Sequence, residues 1–242
     1  MPRAAAASIH ARVEGTEPST WEDPSLVQIW GPRFSVFVVP ARDLAVFTLG
    51  IMAALPSRGR KRAQDLAARL AAFLGGTRMT YAEAGRGLGV HPNSLRYAAA
   101  TGTVLIRWDA ARSSTVWTVP PPEVDSGDAR LELARRYLHI YGPATPESFG
   151  RWAGLGMRQA VPAFQALRGS LTTVRTPIGE ASILTRDEAV FRKAPAPAAP
   201  ARLLPSGDAY LLLQGTDREL LVPDADRRAA LWTRASGPVV CS

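Results

Sequence analysis

Residues 80–102 read TYAEAGRGLGVHPNSLRYAAATG, and two β-rich runs, TVLIRWD (103–109) and STVWTVP (114–120), follow them. Thr80 and Glu83 have the spacing of a capping box, which begins a short helix. Pro92 starts a second helix, because the N–H that proline lacks has no partner in the first helical turn, and Gly102 can cap its end. The stretch therefore predicts two helices joined by a turn and followed by a two-stranded wing.

A basic segment and a longer helix precede this stretch. Residues 63–74 show the spacing of an amphipathic helix, and Gly75-Gly76 ends it. The predicted apolar face of that helix consists of Leu66, Leu70, Phe73 and Leu74. The basic cluster that leads into it consists of Arg58, Arg60, Lys61 and Arg62. The predicted order is helix, short helix, turn, helix and hairpin.

The same order recurs about sixty residues later, and such a repeat is the strongest organisational signal in the chain. Residues 129–141 form an amphipathic pattern that Gly142-Pro143 breaks. Thr145 is a suitable N-cap for a short helix, and Gly156 begins the next one, in which Pro162 can shift the start or cause a kink. The runs LTTVRT and EASILT predict a second wing.

The rest of the chain divides at linkers. LVQIWGPRFSVFVVP, which breaks at Gly31-Pro32, predicts a hairpin near the N-terminus, and the alanine–proline run at 193–201 is a linker. Near the C-terminus we expect a strand-turn-strand element in LLPSGDAYLLL, a short helix in VPDADRRAALW and no completed element in ASGPVVCS. The predicted fold class is α+β: tandem winged helix-turn-helix modules, the first one incomplete, followed by a partial C-terminal β-barrel. The predicted divisions are 1–56 (remainder of a first winged helix), 57–120 (second), 128–190 (third) and 202–242 (partial barrel).

Composition narrows the function classes. The net charge is +8, and only two of the 29 basic residues, Lys61 and Lys193, are lysines, so the cationic surface is almost entirely arginine. Arginine favours planar, bidentate recognition of phosphate. One cysteine excludes a disulfide scaffold and a cysteine-based zinc site. No apolar run is long enough for a membrane span or a signal peptide, so we expect a protein of the cytoplasm, associated with the nucleoid. The sequence leaves the oligomeric state open, and a monomer is favoured.

The repeated unit and the charge predict that the partner is double-stranded DNA. In helix-turn-helix units the second helix enters the major groove, where Arg and Asn side chains can read base edges and flanking cations bind phosphate. An exposed arginine often contacts only water and has no binding role, and winged helices can also bind proteins. The predicted DNA-binding residues are the basic cluster Arg58, Arg60, Lys61 and Arg62; Asn93, Ser94, Arg96, Arg107 and Arg112 in the first unit; and Arg158, Gln159, Arg168 and Arg175 in the second.

Ordinary catalytic patterns are missing, and we predict no metal and no cofactor. The three histidines lack metal-ligand spacing, and GRGLG at 85–89 lies between helices without the lysine of a phosphate loop. Trp108 and Trp117, on opposing wing strands, are interpreted as core or cross-strand partners rather than base-stacking groups. Asp208 is interpreted as a turn cap.

Three stretches resemble a known family. ARRYLHIYGPATPESFGRWAGL (134–155) is similar to the signature of the winged-helix superfamily that includes the AlkZ/YcaQ-type crosslink-repair DNA glycosylases. LLPSGDAYLL with DRELLVPDADRRAALW resembles its C-terminal segment, and ARVEG with LVQIWGPRFSVFVVPARDL resembles its first winged helix. The resemblance implies three winged helices around a positively charged DNA channel, a small β-barrel, and hydrolysis of the N-glycosidic bond of an alkylated or crosslinked purine.

The sequence departs from that family at the catalytic motif. In the family a Gln-x-Gln or Gln-x-Asp motif positions water and stabilises the sugar cation, and it directly precedes the residues that match the start of this chain. Neither motif occurs here, so the resemblance assigns no catalytic residue, and we expect a fragment that binds DNA. The alternative is a non-enzymatic transcriptional regulator or architectural DNA-binding protein, and a protein-interaction scaffold is a third interpretation.

Overall fold

The computed structural model describes residues 2–108, 114–177, 179–193, 202–205, 208, 218–219, 222–232 and 239–241. Contacts along the backbone group the chain into two compact units, residues 1–3 with 19–133 and residues 4–18 with 134–242. The fold is mixed α and β, as the sequence predicted. In the described part of the chain, no helix is long and apolar enough to cross a membrane.

Most elements of the first unit follow helix α1 (Pro2–His10), whose larger part belongs to the second unit. In chain order they are β1 (Leu26–Trp30), β2 (Val36–Pro40), α2 (Leu44–Met52), α3 (Ser57–Leu74), β3 (Met79–Thr80), α4 (Tyr81–Gly87), a long 3₁₀ helix (Pro92–Thr101), β4 (Val104–Arg107) and β5 (Thr115–Thr118).

The five strands form one antiparallel sheet in the order β2-β1-β4-β5-β3. The N-terminal hairpin pairs in register from Leu26 opposite Pro40 to Trp30 opposite Val36, as the sequence predicted. It joins the wing because Gln28 pairs with Ile106 across β1 and β4. The hairpin and the wing therefore share one sheet, and the predicted division between residues 56 and 57 falls inside this unit.

Apolar residues line both faces of the sheet, since alternate side chains of a strand point to opposite faces. On one face Val104, Ile106 and Val116 belong to a core cluster with Leu70 of α3 and Leu95 of the 3₁₀ helix. The other face contributes Ile29, Val39 and Leu105 to a second cluster. Trp117 packs at the edge of this second cluster and lies opposite Leu105. Of the two interpretations of the wing tryptophans, a place in the core is therefore confirmed for Trp117, and a cross-strand pair with Trp108 is wrong.

The helix-turn-helix segment is present where the sequence placed it. Thr80 and Glu83 form the predicted capping box, and Gly102 caps the second helix in the left-handed conformation, with φ 76°. That second helix is 3₁₀ rather than α, and the His91 ring nitrogen Nδ1 accepts from the Asn93 N–H at its start. A Cβ on Gly85 would lie 2.7 Å from Pro92 Cα, so glycine permits the close approach of α4 to the turn.

Two sequence expectations for α3 need correction. The helix begins at Ser57, so the basic cluster forms its first turns instead of leading into it. Phe73 is 42% exposed, whereas Leu66, Leu70 and Leu74 are buried as predicted. The Phe73 ring lies over Gly87 of α4, where a side chain would collide with it.

The second unit contains the repeated segment. Helix α5 (Ser126–Tyr141) begins in the first unit and ends in the second. Two further helices of the second unit follow it, α6 (Pro146–Ala153) and α7 (Met157–Leu167). Strands β6 (Leu171–Thr176) and β7 (Gly179–Leu184) pair in register as the predicted wing, and α8 (Glu188–Phe191) follows them. Thr145 caps α6 as predicted, and Pro162 lies inside α7.

An aromatic cluster holds the helices of the second unit together. Tyr137 of α5 lies 5.4 Å from Phe149 and 5.2 Å from Trp152 of α6, measured between ring centres, and Phe149 lies 6.0 Å from Phe164 of α7. Tyr137 and Phe149 are almost completely buried. Such aromatic pairs each contribute about 0.5–1.5 kcal/mol beyond the area they bury.

The C-terminal part is described in pieces. Strand β8 (Arg202–Leu204) pairs with β9 (Val239–Cys241), and the predicted helix is present as α9 (Ala225–Trp232). The expectation that residues 235–242 hold no completed element is therefore wrong, because Val239 pairs with Leu204. The second strand expected in LLPSGDAYLLL lies outside the described residues. The described residues show no closed barrel.

Candidate nucleic-acid interface

The start of α3 carries exposed cations at the positive end of a helix dipole. Arg58 and Lys61 are exposed and have no hydrogen bond or ion pair with any described residue. The first turn contains no acidic residue. Cations at a helix N-terminus oppose the dipole, whereas an anion bound there is stabilised. The placement of these side chains therefore favours an external anion such as a DNA phosphate.

Arg60 differs from its neighbours because it folds back on its own helix. Its Nη1 donates to the Leu55 carbonyl at 2.6 Å, and its Nη2 donates to the Ser57 hydroxyl at 3.3 Å. These bonds satisfy groups at the helix start and hold the guanidinium in place. Arg60 is thus tied to the helix, while Arg58 and Lys61 remain open to a ligand.

Two arginines from different helices meet at one tyrosine. The guanidinium carbon of Arg62 lies 5.2 Å from the centre of the Tyr97 ring, and that of Arg96 lies 5.1 Å from it. Arg96 Nη2 also donates to the Tyr97 hydroxyl at 3.2 Å. Phe34 contacts the same ring edge-on at 4.9 Å. These four residues, Phe34, Arg62, Arg96 and Tyr97, are called the Tyr97 cluster.

The positive charge of the cluster changes the acidity of its phenol. The hydrogen bond from Arg96, its charge and, to a lesser degree, the charge of Arg62 lower the pKa of Tyr97 below its ordinary value of 10.0, against the opposing effect of burial. The Arg96 Nε is buried and has no hydrogen-bond partner among the described residues. The cluster therefore concentrates donors and positive charge at one place.

The hairpin loop that delivers Phe34 to this cluster is strained. Arg33 and Phe34 have φ values of 57° and 53°, a left-handed conformation that costs a non-glycine residue about 1–3 kcal/mol. A hydrogen bond from the Gly31 N–H to the Ser35 carbonyl, at 2.8 Å, closes the loop. Strain of this kind persists only where surrounding contacts enforce it, and the packing of Phe34 on Tyr97 is one of them.

The 3₁₀ helix places its predicted reading residues unequally. Asn93 is exposed, and its Oδ1 accepts from the Tyr81 hydroxyl at 3.0 Å. Ser94 is partly buried next to it. Arg96 is held against Tyr97 instead of projecting from the helix. Of the residues predicted on this helix, Asn93 is the one most exposed to solvent.

The wing arginines show a different arrangement. Arg107 lies 3.6 Å from a Glu22 carboxylate oxygen and stacks over Trp21 at 5.4 Å. Arg112 lies outside the described residues. Sequence reasoning missed Arg78, which stacks over Trp117 at 4.3 Å. The two Arg–Trp pairs join segments far apart in sequence, and a pattern of single residues gives no signal for them.

In the second unit the predicted cations are exposed and separate. Arg158 lies in the first turn of α7, Arg168 follows that helix, and Arg175 pairs opposite Glu180 in the β6–β7 ladder. Among the described residues none of these three arginines has a hydrogen bond or ion pair through its side chain, and no contact brings them together. Gln159 lies beside Arg158 with its side chain close to Gly156.

Asp208 forms an ion pair with Arg12 that the sequence did not indicate. Its carboxylate accepts two hydrogen bonds from Arg12, at 2.7 and 2.8 Å, and another from Ser8, and only 2% of the side chain is exposed. The expectation of a turn cap is therefore wrong for the side chain, although the Asp208 N–H does close a turn onto Pro205. The ion pair fastens α1 to the C-terminal segment within the second unit.

The described residues contain no group of three His, Cys, Asp or Glu side chains placed to hold a metal ion. His139 instead pairs with Asp187, with 2.9 Å between Nδ1 and Oδ2. This contact gives His139 a structural role on the surface of the second unit.

The fold of this chain is similar to that of a solved structure. The Streptomyces sahachiroi DNA glycosylase AlkZ superposes with a TM-score of 0.78, over 99% of this chain and 75% of that one, at 22% sequence identity. A likeness at this identity concerns the fold. The family is shown by sequence: a model of the AlkZ-like DNA glycosylases matches residues 1–241, and the chain belongs to that family.

A curated relative matches part of the chain. An interstrand DNA cross-link repair glycosylase from Streptomyces sahachiroi is 36% identical over 125 residues, which are 49% of this chain and 32% of that protein. The match thus spans about a third of the relative's length. The resemblance stated from the sequence motifs is confirmed at the level of the family.

Proposed function

We propose that this chain binds double-stranded DNA and contributes that binding to a glycosylase, an enzyme that removes alkylated or crosslinked purines. Membership of the AlkZ-like family supports the proposal, as does the printed function of the relative from Streptomyces sahachiroi. The observation that carries it is the Tyr97 cluster, in which Arg62 and Arg96 converge beside the exposed cations Arg58 and Lys61. Clustered arginines suit phosphate oxygens, which they bind through planar forks of donors.

The architecture we propose for DNA binding is a series of winged helices. Residues 57–120 and 128–190 each run helix, helix, turn, helix and hairpin, which is the order of a winged helix-turn-helix. Residues 1–56 would be the remainder of another such unit, and residues 202–242 part of a β-barrel. In this arrangement Asn93 and the exposed Arg158 lie on the helices that would enter the major groove.

Phosphate contacts and base contacts have separate roles in the proposal. Arg58, Lys61 and Arg62 would hold the backbone, which fixes register without reading sequence. Asn93 can offer its amide to adenine once its Oδ1 gives up the hydrogen bond that it accepts from the Tyr81 hydroxyl. Arg168 and Arg175 would hold phosphates in the second unit.

The chemistry of purine release explains why binding would be this chain's main contribution. Alkylation at N7 makes the purine a cationic leaving group, so little general-acid help is needed, and water positioning with charge stabilisation remains. The resemblance assigns that work to a Gln-x-Gln or Gln-x-Asp motif, and the sequence contains neither. We therefore expect this chain to bind duplex DNA without releasing a base.

The test measures duplex affinity and its dependence on salt for Arg58→Gln and Lys61→Gln, with Arg42→Gln as the control. Arg42 is exposed in the same unit and has no described partner. Loss of a phosphate contact should lower the slope of log K against log salt by about 0.9. Equal effects of all three substitutions would contradict a localised interface.

Base release is followed on a duplex with one N7-alkylated guanine, by strand scission in hot alkali. The Streptomyces sahachiroi cross-link repair glycosylase, acting on a cross-linked duplex, is the positive control. Binding without release is the expected result. Release by this chain would show that its own residues perform the chemistry. Tight preference for one undamaged sequence would favour a transcriptional regulator, and a salt-independent or absent interaction with DNA would favour a protein scaffold.

A further inference from the structure

A cavity of about 540 Å³ lies in the first unit, beside helix α3 and the end of strand β5. Helix α2, the end of the 3₁₀ helix and the start of α5 supply the rest of its walls. The volume falls within the range of roughly 300–1,000 Å³ that is typical of sites for small ligands. Arg60 is the one described lining residue that the sequence predicted to bind DNA.

One part of the lining is apolar and consists largely of small side chains. Ala68 and Ala71 are exposed on the face of α3 that includes Gln64, because residues three and four apart in a helix share a face. Leu49 and Met52 of α2 add larger apolar groups. The alanines leave space for a ligand, and the apolar atoms suit the face of a planar ring.

The charge at the cavity is fixed. Arg60 is the charged side chain among the described lining residues, and its Nη1 and Nη2 already donate to the Leu55 carbonyl and the Ser57 hydroxyl. No carboxylate belongs to the described lining. The guanidinium is therefore no free partner for an anion, but its positive charge disfavours a cationic ligand relative to a neutral one.

Polar side chains of the lining can bond a ligand edge. The hydroxyls of Thr101 and Thr103 already bond each other at 2.7 Å. The Gln64 amide and the hydroxyls of Thr118 and Ser126, by contrast, have no hydrogen-bond partner among the described residues. An amide or a hydroxyl both donates and accepts. These three groups therefore match a ring edge that carries donors and acceptors side by side, as the edge of a nucleobase does.

The cavity adjoins the proposed DNA interface within the same unit. Met52 belongs to the apolar cluster against which Phe34 packs, and the Phe34 ring contacts Tyr97. Arg60 lies directly before Lys61 in the basic start of α3. A base that leaves bound DNA would thus meet the cavity beside the helix that holds the phosphates.

We propose that this cavity, called here the α3 pocket, binds a free, neutral purine base through Gln64, Thr118 and Ser126. The choice of a purine rests on the proposed function, since purines are the bases that the glycosylase would release. An N7-alkylated purine is cationic while it is attached to the sugar. Cleavage of the glycosidic bond leaves the bonding electron pair on the base and makes it neutral, so the charge of Arg60 favours the released base.

The test titrates the chain with 7-methylguanine and uses Ala68→Leu to fill the α3 pocket. The matched control is Ala72→Leu, because Ala72 is also exposed on α3 but is not part of the described lining. Leucine is a good helix former, so both variants should keep the helix. The Met52 methyl resonance reports binding, and Met79, which packs against a different cluster, is the internal reference.

We expect a saturable shift at Met52 in the unmodified chain and in Ala72→Leu, and none in Ala68→Leu. Gln64→Leu should lower the affinity about tenfold, because it removes the amide that bonds the ring edge. No saturable shift in the unmodified chain, or an unchanged one in Ala68→Leu, would overturn the site. Indole, an apolar bicyclic ring, should bind weakly, and binding as tight as that of 7-methylguanine would overturn the purine as ligand.

Duplex binding distinguishes a released base from a base still within DNA. Ala68→Leu and Ala72→Leu should bind duplex with one N7-alkylated guanine equally well, and a loss confined to Ala68→Leu would overturn the free base as the occupant. Binding of duplex without 7-methylguanine would retain the proposed function and reject the α3 pocket. Binding of 7-methylguanine without duplex would retain the pocket and contradict the proposed function.

Discussion

The guanidinium of Arg62 lies over the ring of Tyr97, with 5.2 Å between its central carbon and the ring centre. Arg62 belongs to the second turn of α3, and Tyr97 belongs to the helix that would read DNA. The contact therefore couples the basic start of one helix to the middle of another. Arg96 approaches the same ring, so an incoming phosphate would meet two guanidinium groups that are already positioned.

Tyr97 should ionise at a lower pH than an ordinary tyrosine. Its pKa is lowered chiefly by the hydrogen bond from Arg96, whose charge acts in the same direction. Because the folded pKa lies below the unfolded one, ionisation of Tyr97 stabilises the folded chain at pH values above the unfolded pKa, and this contribution is lost as the pH falls through the folded pKa.

The measurement is the pH titration of the Tyr97 Cζ resonance by NMR, assigned with Tyr97→Phe. Arg96→Gln should return the pKa most of the way to its ordinary value, and Arg62→Gln should shift it less. The control, Arg42→Gln, should leave it unchanged. An unshifted titration in the unmodified chain would mean that Arg96 does not hold the phenol.

Glu83 should make the helix-turn-helix segment sensitive to acid. Hydrogen bonds from the Thr80 hydroxyl and backbone N–H lower the pKa of Glu83 below its ordinary value of 4.5. The stabilisation is therefore complete above the unfolded pKa and is lost as the pH falls through the folded one. Glu83→Gln keeps the hydrogen bonds of a capping box but cannot titrate.

Thermal unfolding, measured from neutral pH to pH values below 4.5, tests whether the Glu83 carboxylate makes the stability of the chain sensitive to acid. The difference in midpoint between the unmodified chain and Glu83→Gln should narrow as the pH falls. Thr80→Ala, which removes the cap, should lower the midpoint at neutral pH. A constant difference across the range would show that the Glu83 carboxylate gains nothing from Thr80 in the folded chain.

The sequence predicts the helix caps and the paired strands of both segments well because the signals for them are local. Thr80, Glu83, Gly102 and Thr145 act within one helical turn, so their spacing alone specifies caps and helix ends. The wings follow from alternating apolar residues. These signals placed Arg96 on a helix but left Arg62 in the segment before one, and nothing local indicated that both would contact Tyr97.

Long-range pairs account for what the sequence did not reveal. Asp208 and Arg12 are separated by most of the chain, and the pairing of β8 with β9 joins residues that no local pattern connects. The start of α3 was missed because consecutive cations at a helix N-terminus oppose the dipole and are typical of a linker.

Gln28 should fix the pairing of the hairpin with the wing. It is a buried amide in an apolar strand, where its Oε1 accepts from the Trp108 N–H at 3.0 Å and its Nε2 approaches the Trp108 carbonyl at 3.5 Å. These contacts continue the β1–β4 ladder beyond the pair Gln28–Ile106. Gln28→Leu leaves the Trp108 N–H without that partner, and such a loss costs about 1–3 kcal/mol.

Chemical denaturation measures this loss, and hydrogen exchange locates it. The Trp108 amide should exchange faster in Gln28→Leu, whereas amides between β1 and β2 should keep their protection. Gln28→Glu is the companion variant, since it retains an acceptor for Trp108 at the cost of a buried charge. Unchanged exchange at Trp108 in Gln28→Leu would contradict a role for the amide in the ladder.

Arg12 should contribute more to the free energy of unfolding than its surface position indicates. Its side chain is 45% exposed, but it pairs with Asp208, which is almost completely buried. Arg12→Gln would remove the two hydrogen bonds and the positive charge that the guanidinium brings to that carboxylate, and we expect a loss of about 2–3 kcal/mol after allowing for solvent screening at Arg12. Adding Asp208→Asn should restore part of the loss, because the neutral amide needs no counterion.

The pH dependence separates this ion pair from simple packing. In Arg12→Gln, loss of the guanidinium should raise the pKa of Asp208 relative to its pKa in the unmodified chain. The deficit of the variant is then complete where Asp208 is ionised in both chains, and it should shrink on acidification as Asp208 becomes protonated in the variant and then in the unmodified chain. Denaturation at several pH values measures the deficit, and the double variant should show no such trend. A deficit independent of pH would mean that Arg12 supports α1 through its aliphatic contacts rather than through the Asp208 carboxylate.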